Sequence, residues 1–192
     1  MISSGLAKQL QAQFGDLISE PTEFRSEISV QIADAERLAE VCAFAKHELR
    51  FDYLVDISSV DNYSDDPRWT VVYLLYGISH KQYLRLITGV SEEKSELPTV
   101  TTVWRTADWH EREIYDMMGI RFRGHPDLRR ILMWEGYPYF PLRKDFPVTG
   151  KPTEVPEVAF TKTAPIEGGP FITTPGGKGA IEREPRAKTW ES

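Results

Sequence analysis

Trp69–Tyr76 (WTVVYLLY) and Gln82–Val90 (QYLRLITGV) decide the fold, because Gly77-Ile78-Ser79-His80 stands between them as a hairpin connection. Runs of β-branched and aromatic residues joined by a short glycine-bearing link read as paired strands. Working outward, Asn62–Pro67 is a polar turn and Tyr53–Val60 (YLVDISSV) is a further strand. In Ser26–Ile32 the apolar residues alternate as Ile28, Val30 and Ile32, the spacing of a strand with one face inward. Thr99–Trp104 is expected to add a fifth short strand.

Helices frame these strands. Leu6, Leu10 and Phe14 suggest a short amphipathic helix closed by Gly15. Asp34 is placed to cap a second helix running to about Leu49, whose Leu38, Val41, Cys42, Ala45 and Leu49 mark a buried stripe. The order predicts an α/β (α+β) domain over residues 1–104, a mixed sheet with helices packed on one face. Residues 105–150 follow as an irregular, motif-rich segment of the same domain, carrying a signature helix and interface loops. Residues 151–192 follow as an extended C-terminal tail.

Charge is unevenly spread. Lys and Arg number 23 against 29 Asp and Glu, a net charge of −6, which argues against a general nucleic-acid binder. Residues 1–104 carry nine bases and sixteen acids, whereas residues 105–145 carry eight bases and seven acids. No apolar run approaches the ~18 residues that a membrane-crossing helix needs. The N-terminal MISSGLAKQLQAQFG lacks the basic start and apolar centre of a secretory signal, so a cytosolic-type chain is expected. The single cysteine, Cys42, falls on the buried stripe and reads as a small core residue. Iron–sulfur clusters usually take about four cysteine ligands, so this chain is not expected to hold one alone.

The densest stretch is Trp109–Pro147, WHEREIYDMMGIRFRGHPDLRRILMWEGYPYFPLRKDFP. Asp108 followed by Glu111 is a capping-box-like start, and Gly119 stands where a left-handed C-cap ends a helix over roughly 109–118. Glu113 and Asp116 share a face of that helix, as do Arg112 and Asp116, and pairing with Arg112, Arg121 or Arg123 is expected. His125-Pro126 forces an extended step, and Leu128, Ile131 and Leu132 suggest one apolar turn with Arg129 and Arg130 pointing elsewhere. Pro138, Pro141 and Pro147 keep Arg143, Lys144 and Asp145 on a loop. Residue types alone leave two readings of these charges: a solvated, self-paired surface, or an interface where guanidinium forks meet a neighbour's carboxylates.

Three blocks in this order, EREIYD (111–116), GHPDLRR (124–130) and PLRKDFP (141–147), resemble the signature of one family of NADH-quinone oxidoreductase subunits, the C-type or 30-kDa-type subunit of respiratory complex I. The resemblance covers about residues 25–150. By position, the family's motif falls on Glu111, Arg112, Glu113, Tyr115, Asp116, Gly119, Phe122, Gly124, His125, Pro126, Asp127, Leu128 and Arg130, then on Pro141, Arg143, Lys144, Asp145 and Pro147. It implies a small α/β subunit of the peripheral arm with no redox cofactor of its own. Flavin and iron–sulfur clusters would belong to partner subunits. The implied partners are the large quinone-site subunit and the iron–sulfur subunits of one hetero-oligomer. The membrane would be reached only through that complex, on its cytoplasmic side. The implied interface residues are Glu111, Arg112, Glu113, Asp116, His125, Asp127, Arg129, Arg130, Arg143, Lys144 and Asp145. One departure stands out: glycine is common two residues before the proline of the PLRKD block, where this chain has Tyr139.

Other chemistry is weaker. His110-Glu111 lacks the second histidine of a zinc-protease motif, with Ile114 in its place, and His47, His80, His110 and His125 show no ligand spacing. Glu113 and Asp116 as an acid/base couple define the distant alternative, a stand-alone enzyme. Arg129-Arg130 and Arg143-Lys144 suit an anion as well as a neighbour's acids. A related photosynthetic NDH-type complex or energy-converting hydrogenase is the nearer alternative. Residues 151–192, with six prolines and five glycines, cannot build a core. They are expected either as a disordered tail or as an arm laying Phe160, Phe171 and Trp190 into a partner's grooves. Lys178 in GGKG is no phosphate loop, because the leading glycine spacing and following Ser/Thr are missing.

Overall fold

The hairpin strands pair antiparallel from Trp69 against Val90 to Gly77 against Gln82, and the sheet grows outward from them. The computed structural model describes residues 2–25, 27–134 and 136–148. Its helices are α1 (Ile2–Phe14), α2 (Leu38–His47) and α3 (Ala107–Met118). The strands are β1 (Thr22–Phe24), β2 (Glu27–Ile32), β3 (Tyr53–Asp61), β4 (Trp69–Gly77), β5 (Gln82–Val90), β6 (Glu96–Pro98) and β7 (Arg121–Arg123). Five strands form one sheet in the order β1-β2-β5-β4-β3, and β6 pairs with β7 separately. Only the β2–β5 contact in the larger sheet is parallel, so the sheet is mixed.

One face carries the core. On β4, residues alternate without exception between buried and half-buried, with Trp69, Val71, Tyr73 and Leu75 inward. They register with Val90, Thr88, Leu86 and Leu84, and the last three register in turn with Ile32, Val30 and Ile28. The helices supply the opposing layer: Ala7 and Leu10, then Leu38, Val41, Cys42 and Ala45, then Ile114, Met117 and Met118, join that one cluster. The stripe predicted on α2 is therefore a core face, and burial pushes the Cys42 thiol far above its ordinary range. Asp34 caps as expected, its carboxylate accepting from the Glu36 amide at 3.0 Å, although a 3-10 turn over Ala35–Arg37 precedes α2.

Two expectations change. Thr99–Trp104 is not a strand but a run of turns, and the short strand lies just before it at Glu96–Pro98. Side chain and backbone of Thr99 and Val100 are engaged by Glu111, which holds the chain in a turn despite its β-branched composition. Residues 126–134 form no helical turn, and Leu132 is 63% exposed. Composition also concealed a buried ion pair at the turn end of the β3–β4 hairpin. Arg68 grips Asp61 with both prongs, at 3.0 and 3.1 Å, and reaches Glu92 at 2.5 Å.

Residues Met1–Glu135 with Phe140–Arg143 form one compact unit, and Gly136–Tyr139 with Lys144–Ser192 fall to a second. The tail from residue 151 lies outside the described residues.

Candidate functional site

α3 starts at Ala107 with Thr106 in the capping position, two residues earlier than predicted. Asp108 is thus inside the first turn, where a negative charge still favours the helix dipole. Its carboxylate faces His125, with 3.2 Å between Oδ1 and Nε2. The far end is as predicted: Gly119 ends α3 with φ +80°, in the left-handed region. A Cβ there would also stand 2.4 Å from Arg143 Nη2 and 2.8 Å from the Phe140 ring, so glycine is required twice over.

Three charged side chains of α3 point inward. Glu111 is fully buried, accepting from the Thr99 hydroxyl at 2.5 Å and the Val100 amide at 2.7 Å. Arg112 donates to the carbonyls of Arg129 and Arg130, each at 3.1 Å, and stacks over Trp109. Asp116, also fully buried, accepts from the amides of Ile131, Leu132 and Met133 at 3.1, 2.7 and 2.8 Å, and from Arg130 Nη1 at 2.5 Å. Burial alone would push the Asp116 carboxyl up. The Met133 amide, Arg130 and the other two amides outweigh it and hold the group below its ordinary value. The predicted partners Arg112, Arg121 and Arg123 are not the ones Asp116 uses. Arg123 instead pairs with Glu36 and Glu96.

The loop after β7 is therefore strapped along α3. His125, its side chain wholly buried, accepts the Asp127 amide at Nδ1, which leaves Nε2 facing Asp108 and, at 4.0 Å, Glu111. Arg143 returns to the helix end, donating to the Met118 carbonyl at 2.7 Å while its guanidinium lies 4.3 Å from the Phe140 ring and 5.1 Å from Trp69. Of the remaining motif charges, Glu113 is exposed, and Asp127 and Arg129 pair with each other at 2.8 Å on the surface. Glu113 and Asp116 thus face opposite environments and do not form a couple. In the second unit Lys144 and Asp145 are exposed, and Tyr139 packs against the rings of Tyr137 and Phe146 at 5.7 and 6.0 Å.

Sequence reasoning missed Thr99, Val100 and Trp69. A signal for the first two existed: Ala107, Glu111, Ile114 and Met118 form an i, i+4, i+7, i+11 stripe, so a carboxylate sits in a core face and must find donors. On α3 and the segments tied to it, Trp109, Leu132 and Leu142 remain 62%, 63% and 58% exposed. The helix is tied to the chain beside each of them, through Arg112, Asp116 and the Leu142 amide on Met117. Among the described residues no group of three or more His, Cys, Asp or Glu is arranged to hold a metal ion, and no helix is long and apolar enough to cross a membrane.

Burial pushes the Glu111 carboxyl up to about 7, against the Thr99 and Val100 hydrogen bonds, and Asp108 adds to the rise. A raised folded value means the native state keeps a proton that the unfolded chain releases near 4.5. Stability should then fall as pH rises from 4.5 to about 7 and be level above it. The total change is roughly 3 kcal/mol. Glu111→Gln is expected to remove most of that slope in urea denaturation at pH 5 and pH 8. An unchanged slope in the variant would assign it to other groups.

The family model for the 30 kDa subunit of respiratory-chain NADH dehydrogenase matches residues 31–152. A C-type subunit of NADH-quinone oxidoreductase from Rhizobium meliloti (strain 1021), the one numbered 2, is 54% identical over 117 residues, 60% of this chain and 64% of that protein. The C-type subunit from Geotalea uraniireducens (strain Rf4) is 45% identical over 146 residues, 76% of this chain and 88% of that protein. Among solved structures, a trypsin-resistant fragment of Nqo5 superposes with a TM-score of 0.58 at 31% identity, over 67% of this chain and all of the fragment. A chain of a membrane-bound sulfane sulfur reductase, an archaeal respiratory membrane complex, shares the fold at a TM-score of 0.67 and 19% identity, over 77% of this chain and 86% of that one.

Proposed function

The chain belongs to the family of the 30 kDa subunit of respiratory-chain NADH dehydrogenase, and from that membership we propose that it is a structural subunit of the peripheral arm of an NADH-quinone oxidoreductase. The enzyme as a whole would pass electrons from NADH to quinone and translocate protons. This chain would support the quinone-site module, with flavin and iron–sulfur clusters held by its partners. The implied neighbours are the large quinone-site subunit and the iron–sulfur subunits, on the cytoplasmic side of the membrane.

The observation that carries this reading is the use made of the motif's charges. Glu111, Arg112, Asp116, His125, Arg130 and Arg143 are engaged within the chain, strapping two loops to α3. On α3 and on those loops, Trp109, Leu132 and Leu142 are left exposed, as are the charged Glu113, Asp127 and Arg129. An exposed tryptophan and two leucines on a hydrogen-bonded frame, with exposed charges on the same elements, have the make-up of a docking face. Lys144 and Asp145 are assigned to the same kind of contact from the second unit.

Replacing Trp109 and Leu132 together by alanine tests it. The residues are exposed, so thermal unfolding of the isolated chain should move little. Co-purification of the quinone-site and NADH-oxidising subunits from gently solubilised membranes should fall at least about tenfold, since a hot-spot aromatic contributes ~2 kcal/mol or more. Full recovery of those subunits with the double variant would refute the docking face.

A further inference from the structure

Glu111 does something that strapping the loop does not require. Its Oε2 lies 2.5 Å from Thr99 Oγ1, and Thr99 Oγ1 lies 2.9 Å from Thr101 Oγ1, where either hydroxyl can be the donor. Thr101 opens onto a surface cleft lined also by Thr102, Arg105, Asp108, Gly124 and Pro126. A buried carboxyl is therefore joined to solvent by two hydroxyl groups in series, each able to accept one proton while donating another.

We propose that Glu111 is a buried proton-binding site, loaded and emptied through the Thr99–Thr101 hydroxyl relay from the cleft beside Asp108. The exchange is balanced. A proton leaving the Glu111 carboxyl passes to Thr99 Oγ1, Thr99 gives its own to Thr101 Oγ1, and Thr101 releases one to water in the cleft. Uptake runs the same steps in reverse.

The surroundings make the two protonation states comparable in energy. Burial disfavours the carboxylate, while the Val100 amide and the Thr99 hydroxyl favour it. From its own helix Asp108 faces Glu111 and opposes its ionisation. His125, from the loop after β7, presents Nε2 at 4.0 Å. The Asp127 amide donates to Nδ1, which leaves Nε2 as the ring nitrogen facing the Asp108 and Glu111 carboxyls. Cys42 from α2 and Tyr73 from β4 also sit within electrostatic reach, and burial raises both far above neutrality, so both stay uncharged there. Lys46 on α2 is bonded to the Val103 carbonyl, and Arg105 stands at the cleft. Burial bringing the Glu111 carboxyl up to about 7 agrees with this balance. The site stands whether or not Trp109 and Leu132 form a docking face.

The test uses the full chain labelled with carbon-13 at the glutamate carboxyl positions, followed by NMR from pH 5 to pH 9. One carboxyl should titrate near neutrality, and its signal should vanish in Glu111→Gln. Thr101→Val, at the half-exposed end of the relay, should leave the fold and the midpoint in place while slowing proton exchange at Glu111 at least tenfold, read from line broadening through the midpoint. Thr99→Val should slow it as much and also raise the midpoint, because a hydrogen bond to the carboxylate is lost. Titration of Glu111 in the ordinary carboxylate range overturns the proton site. An unchanged exchange rate in Thr101→Val overturns the relay.

Discussion

Replacing Asp116 by alanine is expected to cost the protein about 3–5 kcal/mol, enough to leave a domain of ordinary stability close to its unfolding limit. The carboxylate is fully buried and is the common acceptor for three consecutive amides, Ile131, Leu132 and Met133, and for Arg130. Alanine leaves the three amides without their acceptor and takes from Arg130, whose side chain is only 12% exposed, the carboxylate it bonds at 2.5 Å. Removing one member of a buried charge pair costs far more than the pair contributes, because the remaining charge stays desolvated. Asp116→Asn keeps one acceptor oxygen but loses the charge, so an intermediate loss is expected. The linkage runs opposite to that of Glu111. Asp116 is held below its ordinary value, so its contribution is present above the usual carboxylate range and is lost as pH falls through the folded value. Urea denaturation of the two variants measures the loss, and trypsin should cut alanine-substituted protein earlier at Arg129 and Arg130. A cost under about 1 kcal/mol would mean that the amides find water in place of the carboxylate and that the strap is dispensable.

Why the sequence told so much of the fold and less of the site follows from which interactions have a period. Strand alternation in Ile28-Ser29-Val30-Gln31-Ile32 and the α2 stripe through Cys42 are local patterns, and both faces proved to be core. Gly119 was legible because a left-handed end to a helix needs glycine. Asp116 was not, since its partners lie 14 to 17 residues away in a loop without regular structure. No helix-face rule reaches that far, and the nearer arginines attracted the expectation. Thr99–Trp104 misled for a related reason. Its β-branched residues favour a strand, yet the Glu111 carboxylate captures the Val100 amide and the Thr99 hydroxyl. Tertiary hydrogen bonding overrode local propensity there. Of the motif charges that suggested an interface by type, Glu111, Arg112, Asp116, His125, Arg130 and Arg143 form an internal frame, whereas Glu113, Asp127, Arg129, Lys144 and Asp145 are exposed. Recognising the motif gave the family without giving the geometry of the motif.

Trp69 ties that frame to the sheet, and its loss should be felt in both. It is the first residue of β4, fully buried, in register with Asp61 on one side and Val90 on the other. Arg68 lies 4.3 Å from its ring and Arg143 5.1 Å, so the indole sits between the buried Asp61–Arg68 pair and the loop that closes on α3. Trp69→Ala removes a large core side chain and two cation–π contacts, for an expected cost of about 3–5 kcal/mol. Trp69→Phe keeps a ring at the position and gives up only a long 3.4 Å hydrogen bond to Ser95 together with some volume. Its cost should be no more than about half as large. The two effects separate by hydrogen exchange. The Leu142 amide donates to the Met117 carbonyl at 3.1 Å and reports whether the Phe140–Arg143 segment stays docked. In Trp69→Ala its protection should fall further than that of amides at the centre of β5, because Arg143 has lost one of the two rings it stacks between. Equal loss at both places would mean that Trp69 serves the sheet alone, and that the Met118 carbonyl and Phe140 suffice to hold Arg143 in place.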